Sequence, residues 1–285
     1  MPNPSSQFEG ASTTSIVKSR GGVDQLQRVW ESNTPHANVL LLHGIAEHSG
    51  RYEHVGSTLA AAGFSTRAID HRGHGRSGGE RGFVPSFDVF LDDVEDNLAD
   101  LRERGLPVVL MAHSMGGLIA YNYGVSGRRP LPDVLLLSGP ALGADVPAWQ
   151  RIAAPVLGRL TPKLFIKNEF DGSFLSGDPD VGNAYRDDPL RIPGATAGLG
   201  LALFDAMKTA NERLDKLSIP TIVFHGGNDR IVPPKFTESI GDLPVATRHV
   251  LPGLEHEVLN EASWEKTMQS FIGFANGALG TNTPG

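Results

Sequence analysis

Short strand-like runs at 39–42, 65–69, 107–111, 134–137, 221–224 and 246–251 alternate with longer helical stretches through most of this chain. That alternation limits the fold more than any other feature. The central runs are continuously apolar rather than apolar on every second residue, so both faces of those strands must be covered. Strands buried on both faces and separated by helices belong to a mostly parallel sheet with helices on either side. The helical partners are legible too. Residues 52–62 have helical period, with Gly63 as terminator. Residues 87–104 carry a stripe of Phe87, Phe90, Leu91, Val94, Leu98 and Leu101 with acids opposite. A third helix begins near Met115, and a last one is predicted over 258–279. Ahead of them, 15–19 and 25–30 read as a β-hairpin closed at Gly21-Gly22. There is no internal repeat or low-complexity linker, and the expected class is α/β with eight strands.

One segment breaks the alternation. Residues 145–200 show no convincing strand and hold Pro147, Pro155, Pro162, Pro179, Pro189 and Pro193. Trp149, Ile152, Val156, Leu157, Leu160, Leu164 and Phe165 recur at helix-like spacing, followed by a loop with Phe170 and Phe174. The expected division is a core formed by 1–144 and 201–285, with 145–200 inserted as a cap. Irregular insertions of this length are usually functional. The stripe, with Arg151, Arg159 and Lys163 beside it, is amphipathic. It is suited to roof an apolar site and, secondarily, to make transient contact with a lipid surface.

The chemistry centres on Ala112-His113-Ser114-Met115-Gly116-Gly117, between a strand and a helix. A serine at such a turn, among very small neighbours, is the nucleophile elbow of the α/β-hydrolase fold. Ala112 stands where the Gly-x-Ser-x-Gly pattern has glycine. The plain alternative is that Ser114 only caps a helix. A nucleophilic serine needs a base, and in this fold the acid and then the histidine follow it in the chain. His36, His43, His48, His54, His71 and His74 precede the turn, and His225 closes a strand; all are expected to be structural. His113 should point away from Ser114, and His249 should pack within the last strand. His256, in the loop after that strand, is the expected base. Asp229, in His225-Gly226-Gly227-Asn228-Asp229, is the expected acid, with Asp145 as rival. Oxyanion donors are expected from the backbone N–H of Met115 and of Ile45, in His43-Gly44-Ile45-Ala46-Glu47-His48.

Composition excludes several other chemistries. The chain has no cysteine, which removes disulfides and thiolate catalysis. The net charge of −7, without a long basic cluster, argues against nucleic acid as partner. No apolar run approaches the ~20 residues needed to span a bilayer, and residues 1–22 lack a signal-peptide core. A cytoplasmic protein, peripheral to membranes at most, is expected.

With these residues in hand the chain resembles the monoacylglycerol lipases, and most of all their actinobacterial type. The resemblance is carried by His43-Gly44-Ile45-Ala46-Glu47-His48-Ser49-Gly50-Arg51-Tyr52, by Asp70-His71-Arg72-Gly73-His74-Gly75-Arg76-Ser77-Gly78-Gly79 and by His113-Ser114-Met115-Gly116-Gly117. Asp178-Pro179-Asp180-Val181, Ala184-Tyr185, Asp188-Pro189-Leu190 and His225-Gly226 with Asp229 also fit. The resemblance implies hydrolysis of a single fatty ester of glycerol through an acyl-enzyme, with neither cofactor nor metal. It also implies a glycerol seat near Glu47 and Arg51; the structural alternative has Glu47 pair with Arg72 or cap the helix and leaves Arg51 solvated at the helix start. Rival expectations are a lysophospholipase or general carboxylesterase, and a hydrolase-fold receptor that binds a ligand without turnover. Oligomeric state is not legible.

Overall fold

A computed structural model describes residues 10–167 and 171–281, with the backbone alone over 148–153. The side chains of Trp149, Arg151 and Ile152, and all of Phe170, lie outside the described residues. Eight strands form one sheet: β1 (Thr13–Lys18), β2 (Asp24–Trp30), β3 (Ala37–Leu42), β4 (Phe64–Ile69), β5 (Val108–His113), β6 (Val134–Ser138), β9 (Thr221–Gly226) and β10 (Ala246–Leu251). Their spatial order is β1-β2-β4-β3-β5-β6-β9-β10. The pairs β1–β2 and β2–β4 are antiparallel and all others parallel. This is the mostly parallel eight-stranded sheet that the alternating runs demand.

Strand periodicity divides the core in two, because successive side chains point to opposite faces. Leu40, Leu42, Leu110, Ala112, Leu135 and Leu137 join α2 (Asp88–Arg102), α3 (Met115–Gly124) and α6 (Ala197–Glu212) on one face. Val39, Leu41, Val109, Met111, Val134 and Leu136 join α1 (Glu53–Ala61) and α8 (Trp264–Leu279) on the other. The central strands therefore carry apolar side chains to both faces, and β3, β5, β6 and β9 are wholly buried. The last helix starts at Trp264, later than its apolar pattern suggests. The Leu259 carbonyl accepts from the buried His54 Nε2 (2.8 Å) and that of Asn260 from Ser176 Oγ (3.2 Å), so neither feeds a helix.

The segment 145–200 holds α4 (Ala148–Leu160), β7 (Phe165–Lys167), α5 (Pro179–Asp187) and β8 (Gly194–Thr196), and α6 crosses residue 200. The expectation of no strand here needs correction. β7 and β8 pair antiparallel, Phe165 opposite Thr196. At three residues each, with β7 exposed throughout, they are too short for a period-2 pattern to show. Among the described residues no helix is long and apolar enough to cross a membrane.

Candidate active site

The carboxyl ends of β3, β5, β9 and β10 lie along one edge of the sheet, where open α/β sheets carry their ligands. Ser114 leaves β5 at φ 52°, ψ −115° and opens α3. A non-glycine residue in that region costs of order 1–3 kcal/mol and persists only where its surroundings over-determine it. The neighbours must therefore be small. A Cβ on Gly116 would stand 2.5 Å from the Leu42 carbonyl oxygen, and one on Gly117 2.7 Å from Pro140 Cβ. Ala112 is different, because it is still a strand residue, paired with Leu42 and Leu137 and facing the core. A methyl group fits there.

The structure brings Ser114, His256 and Asp229 together across 142 and 27 residues of chain. His256 Nε2 lies 2.9 Å from Ser114 Oγ, and its Nδ1 lies 2.6 Å from Asp229 Oδ2. Since Asp229 accepts at Nδ1, the proton sits there and Nε2 is free to accept from the serine. Asp229 Oδ1 accepts the N–H groups of Ile231 (2.9 Å) and Val232 (2.8 Å). His225 Nε2 donates to the Val232 carbonyl (2.7 Å) and reaches Asp229 Oδ2 at 3.1 Å. His225 is thus a structural hydrogen-bonder, and what it holds is Asp229. Burial opposes ionisation of Asp229, but His256, His225 and the Val232 N–H outweigh it and hold the carboxyl far below its usual range. Burial likewise pushes the His256 imidazole down, and the Asp229 charge more than offsets this, so its pKa is raised.

Neither Ile45 N–H nor Met115 N–H has a protein acceptor among the described residues. Met115 is the first residue of α3, where helix geometry leaves the N–H unpaired. The peptides around Gly44 are pinned. Gly44 N–H donates to Glu47 Oε1 (2.5 Å), and its carbonyl accepts from His43 Nδ1 (2.7 Å). The His71 N–H donates to His43 Nε2 (2.9 Å), which assigns the His43 proton to Nδ1.

Glu47 does not meet Arg72, which pairs with Asp93, and Arg51 is buried rather than solvated. Arg51 binds Glu47 Oε2 (2.7 Å) and grips Glu257 through two bonds (2.7 and 2.8 Å). Tyr52 donates its hydroxyl to Glu47 Oε1 (2.8 Å). Burial raises both carboxyl pKa values in principle; the double contact with Arg51 reverses this for Glu257, held at about 2, whereas Glu47 stays raised. Glu257 has no role in the sequence reading. Its place beside His256 was visible, but its partner 206 residues away was not.

The remaining histidines and the rival acid separate clearly. Asp145 is exposed and paired with Lys235 (2.6 Å). His249 is exposed rather than packed, stacked on Phe224 at 5.1 Å on the edge strand. His113 does not point away: it lines the cavity over Ser114, with its ring 4.7 Å from that of His256. That cavity measures about 20 Å³ and is walled by Ile45, Glu47, Leu175, Tyr185, Ile231 and Glu257 as well. Leu175 and Tyr185 come from 145–200. The same segment is bonded to the histidine loop, with His256 N–H donating to the Phe174 carbonyl (3.3 Å) and Glu257 N–H to that of Leu175 (2.7 Å).

Comparison with known proteins agrees with this architecture. Residues 33–263 match the family described as serine aminopeptidase, S33. A monoacylglycerol lipase of Mycolicibacterium smegmatis is 39% identical over 85% of this chain and 89% of its own. A human monoglyceride lipase is 34% identical over 73% and 70%. The crystal structure of Paleococcus ferrophilus monoacylglycerol lipase superposes with a TM-score of 0.79 at 28% identity, covering 90% of this chain and 99% of that one. The chain belongs to the serine aminopeptidase, S33, family and, within the α/β-hydrolases, to the monoacylglycerol lipases.

Proposed function

We propose that this chain hydrolyses the ester bond of monoacylglycerols to fatty acid and glycerol. Ser114 is the nucleophile, His256 the general base and acid, and Asp229 the residue that orients His256. His256 Nε2 takes the Ser114 hydroxyl proton as Oγ attacks the ester carbonyl. The N–H groups of Ile45 and Met115 hold the oxyanion; collapse transfers the proton from His256 to the departing glycerol and leaves an acyl-serine. Water then repeats the sequence, releasing the acid and restoring Ser114. The scheme uses side chains, backbone and water alone. It is carried by the hydrogen-bonded chain from Ser114 through His256 to Asp229 on a strained elbow. The test is covalent labelling by a fluorophosphonate probe, expected on the wild type and absent in Ser114→Ala. An unlabelled wild type leaves only a ligand-binding role.

The choice of leaving group rests on charge. Glu47 and Glu257 wall the cavity, while a single Arg51 behind them serves both carboxylates. Such a wall accepts hydrogen bonds from neutral hydroxyls and repels phosphate, which favours glycerol over a phospholipid head group. Rates on mono-, di- and triacylglycerol and on a lysophospholipid decide the matter. Monoacylglycerol is expected fastest, with the lysophospholipid at least tenfold slower; faster turnover of triacylglycerol or lysophospholipid defeats the assignment.

Residues 145–200 act in this reading as the cap. Leu175 and Tyr185 are the cap side chains that border the cavity over Ser114, where an acyl ester would have to enter. The described part of the cap exposes the apolar side chains of Val156, Leu160, Leu164, Phe165 and Ile166, which suits transient contact with a lipid surface.

A further inference from the structure

Asp188-Pro189-Leu190 stands out in the sequence without a chemical role, and Asp188 does not line the cavity over Ser114. It is placed instead against the outside of the loop that carries Ile45. That loop holds a second non-glycine residue in the left-handed region, Ala46 at φ 63°, with its side chain buried. Such a conformation lasts only where contacts on both sides enforce it. On the inner side Gly44 is pinned by Glu47 and His43.

On the outer side both contacts come from the segment 188–192. Ile192 N–H donates to the Ala46 carbonyl at 3.2 Å. His48 Nε2 meets Asp188 Oδ2 at 2.7 Å. The direction of this bond follows from the other ring nitrogen: His48 Nδ1 accepts from Gly50 N–H (3.1 Å), so Nε2 carries the proton and donates. Asp188 is itself oriented, because its Oδ1 accepts the Leu190 N–H (2.8 Å). Arg81 ties the stretch to the core by donating to the Leu190 and Gly75 carbonyls. Gly50 lets the His48 ring lie over the turn, since a Cβ there would stand 2.7 Å from Cε1.

We propose that Asp188, acting through His48, is a positioning residue for the oxyanion loop. It clamps the strained turn at Ala46 so that the Ile45 N–H stays aimed at the charge that develops on the substrate. This rests on the reading of Ile45 as an oxyanion donor. The segment that roofs the site thereby also sets the geometry of the hole.

The test compares an oxygen ester with its thiono analogue, in which sulfur replaces the carbonyl oxygen and accepts hydrogen bonds poorly. The ratio of their kcat/KM values reports how much the oxyanion hole contributes, and a general loss of folded protein leaves that ratio unchanged. Removing one donor of such a hole costs roughly 10²–10³ in kcat, and loosening it costs a part of that. Asp188→Ala is expected to lower kcat on the oxygen ester about tenfold, with KM within about twofold, and to lower the oxo-to-thiono ratio by a similar factor. Asp188→Asn keeps an acceptor for His48 and is expected to retain most of both. Should the alanine variant not fold, Asp188→Glu, which displaces the acceptor while keeping the charge, is expected to show the same fall in ratio. A wild-type ratio in Asp188→Ala or Asp188→Glu overturns the proposal, and so does a full loss of the ratio in Asp188→Asn. A wild type that fails to cleave the oxygen ester removes the hydrolase reading itself, which is a separate result.

Discussion

At the scale of single residues, Ser114 and His256 are held by different means. Ser114 is held in its strained conformation through its backbone, whose N–H donates to the Ser138 carbonyl and whose carbonyl accepts from the Ala141 N–H, whereas His256 is fixed by hydrogen bonds at both ring nitrogens. The second arrangement has a consequence in pH. The pKa of His256 is raised above 6.5, and its neutral form is the one that can accept the serine proton. With His256 as the proposed base, activity should be lost as pH falls through the raised value, and the acid limb of kcat/KM should lie above the ordinary histidine value of 6.5 in the wild type. Asp229→Asn should move that limb to lower pH and cut kcat by about three to four orders of magnitude, since the wrong imidazole tautomer is then favoured. A pH–rate profile of the two proteins checks both points. Near-normal activity in Asp229→Asn would remove the assignment of the acid. These three residues were legible because the chemistry demands their types in a set order along the chain. Glu47 and Arg51 stood out in the sequence, but their pairing with each other and with Glu257 was not legible, because burial of charge depends on partners brought from distant parts of the chain.

At the scale of elements, the segment 145–200 contains two unlike halves. The portion from Gly172 onward is bonded to both loops that surround Ser114. It reaches the histidine loop through Phe174, Leu175 and Ser176, and the Ile45 loop through Asp188 and Ile192. The portion formed by α4 and β7 instead exposes Leu160 at 77% and Val156 at 52% of their surfaces. Replacing such a side chain by a charge costs little folding stability at an exposed site. Leu160→Asp should leave turnover of a short, water-soluble ester unchanged while weakening co-sedimentation with phospholipid vesicles severalfold. Equal binding by variant and wild type would dismiss the lipid-facing role. The helix α4 was legible from its spacing, but the pairing of β7 with β8 was not, for a three-residue strand is defined by its partner and not by its own pattern.

At the scale of the whole molecule, the sheet does what the alternating sequence runs imply: parallel strands deliver their loops to one edge. The order of those strands could not be read, since nothing local in β4 specifies that it lies between β2 and β3. The bonds from His256 and Glu257 to the carbonyls of Phe174 and Leu175 carry a further implication for how the protein tolerates change. They tie the segment that we propose as the cap to the loop of the proposed base, so the effect of a mutation should depend on which part of the segment it falls in. On the proposed function, substitutions in 154–167, where Val156, Leu160, Leu164, Phe165 and Ile166 are exposed, should change contact with lipid and leave the chemistry alone. Substitutions in 171–196 should instead reach His256 and the Ile45 loop through the bonds of Phe174, Leu175, Asp188 and Ile192, and on the proposed function they should change the turnover of every ester. If the proposed function holds, the first stretch is free to vary with the lipid it meets, while the second is tied by its bonds to the loops around Ser114.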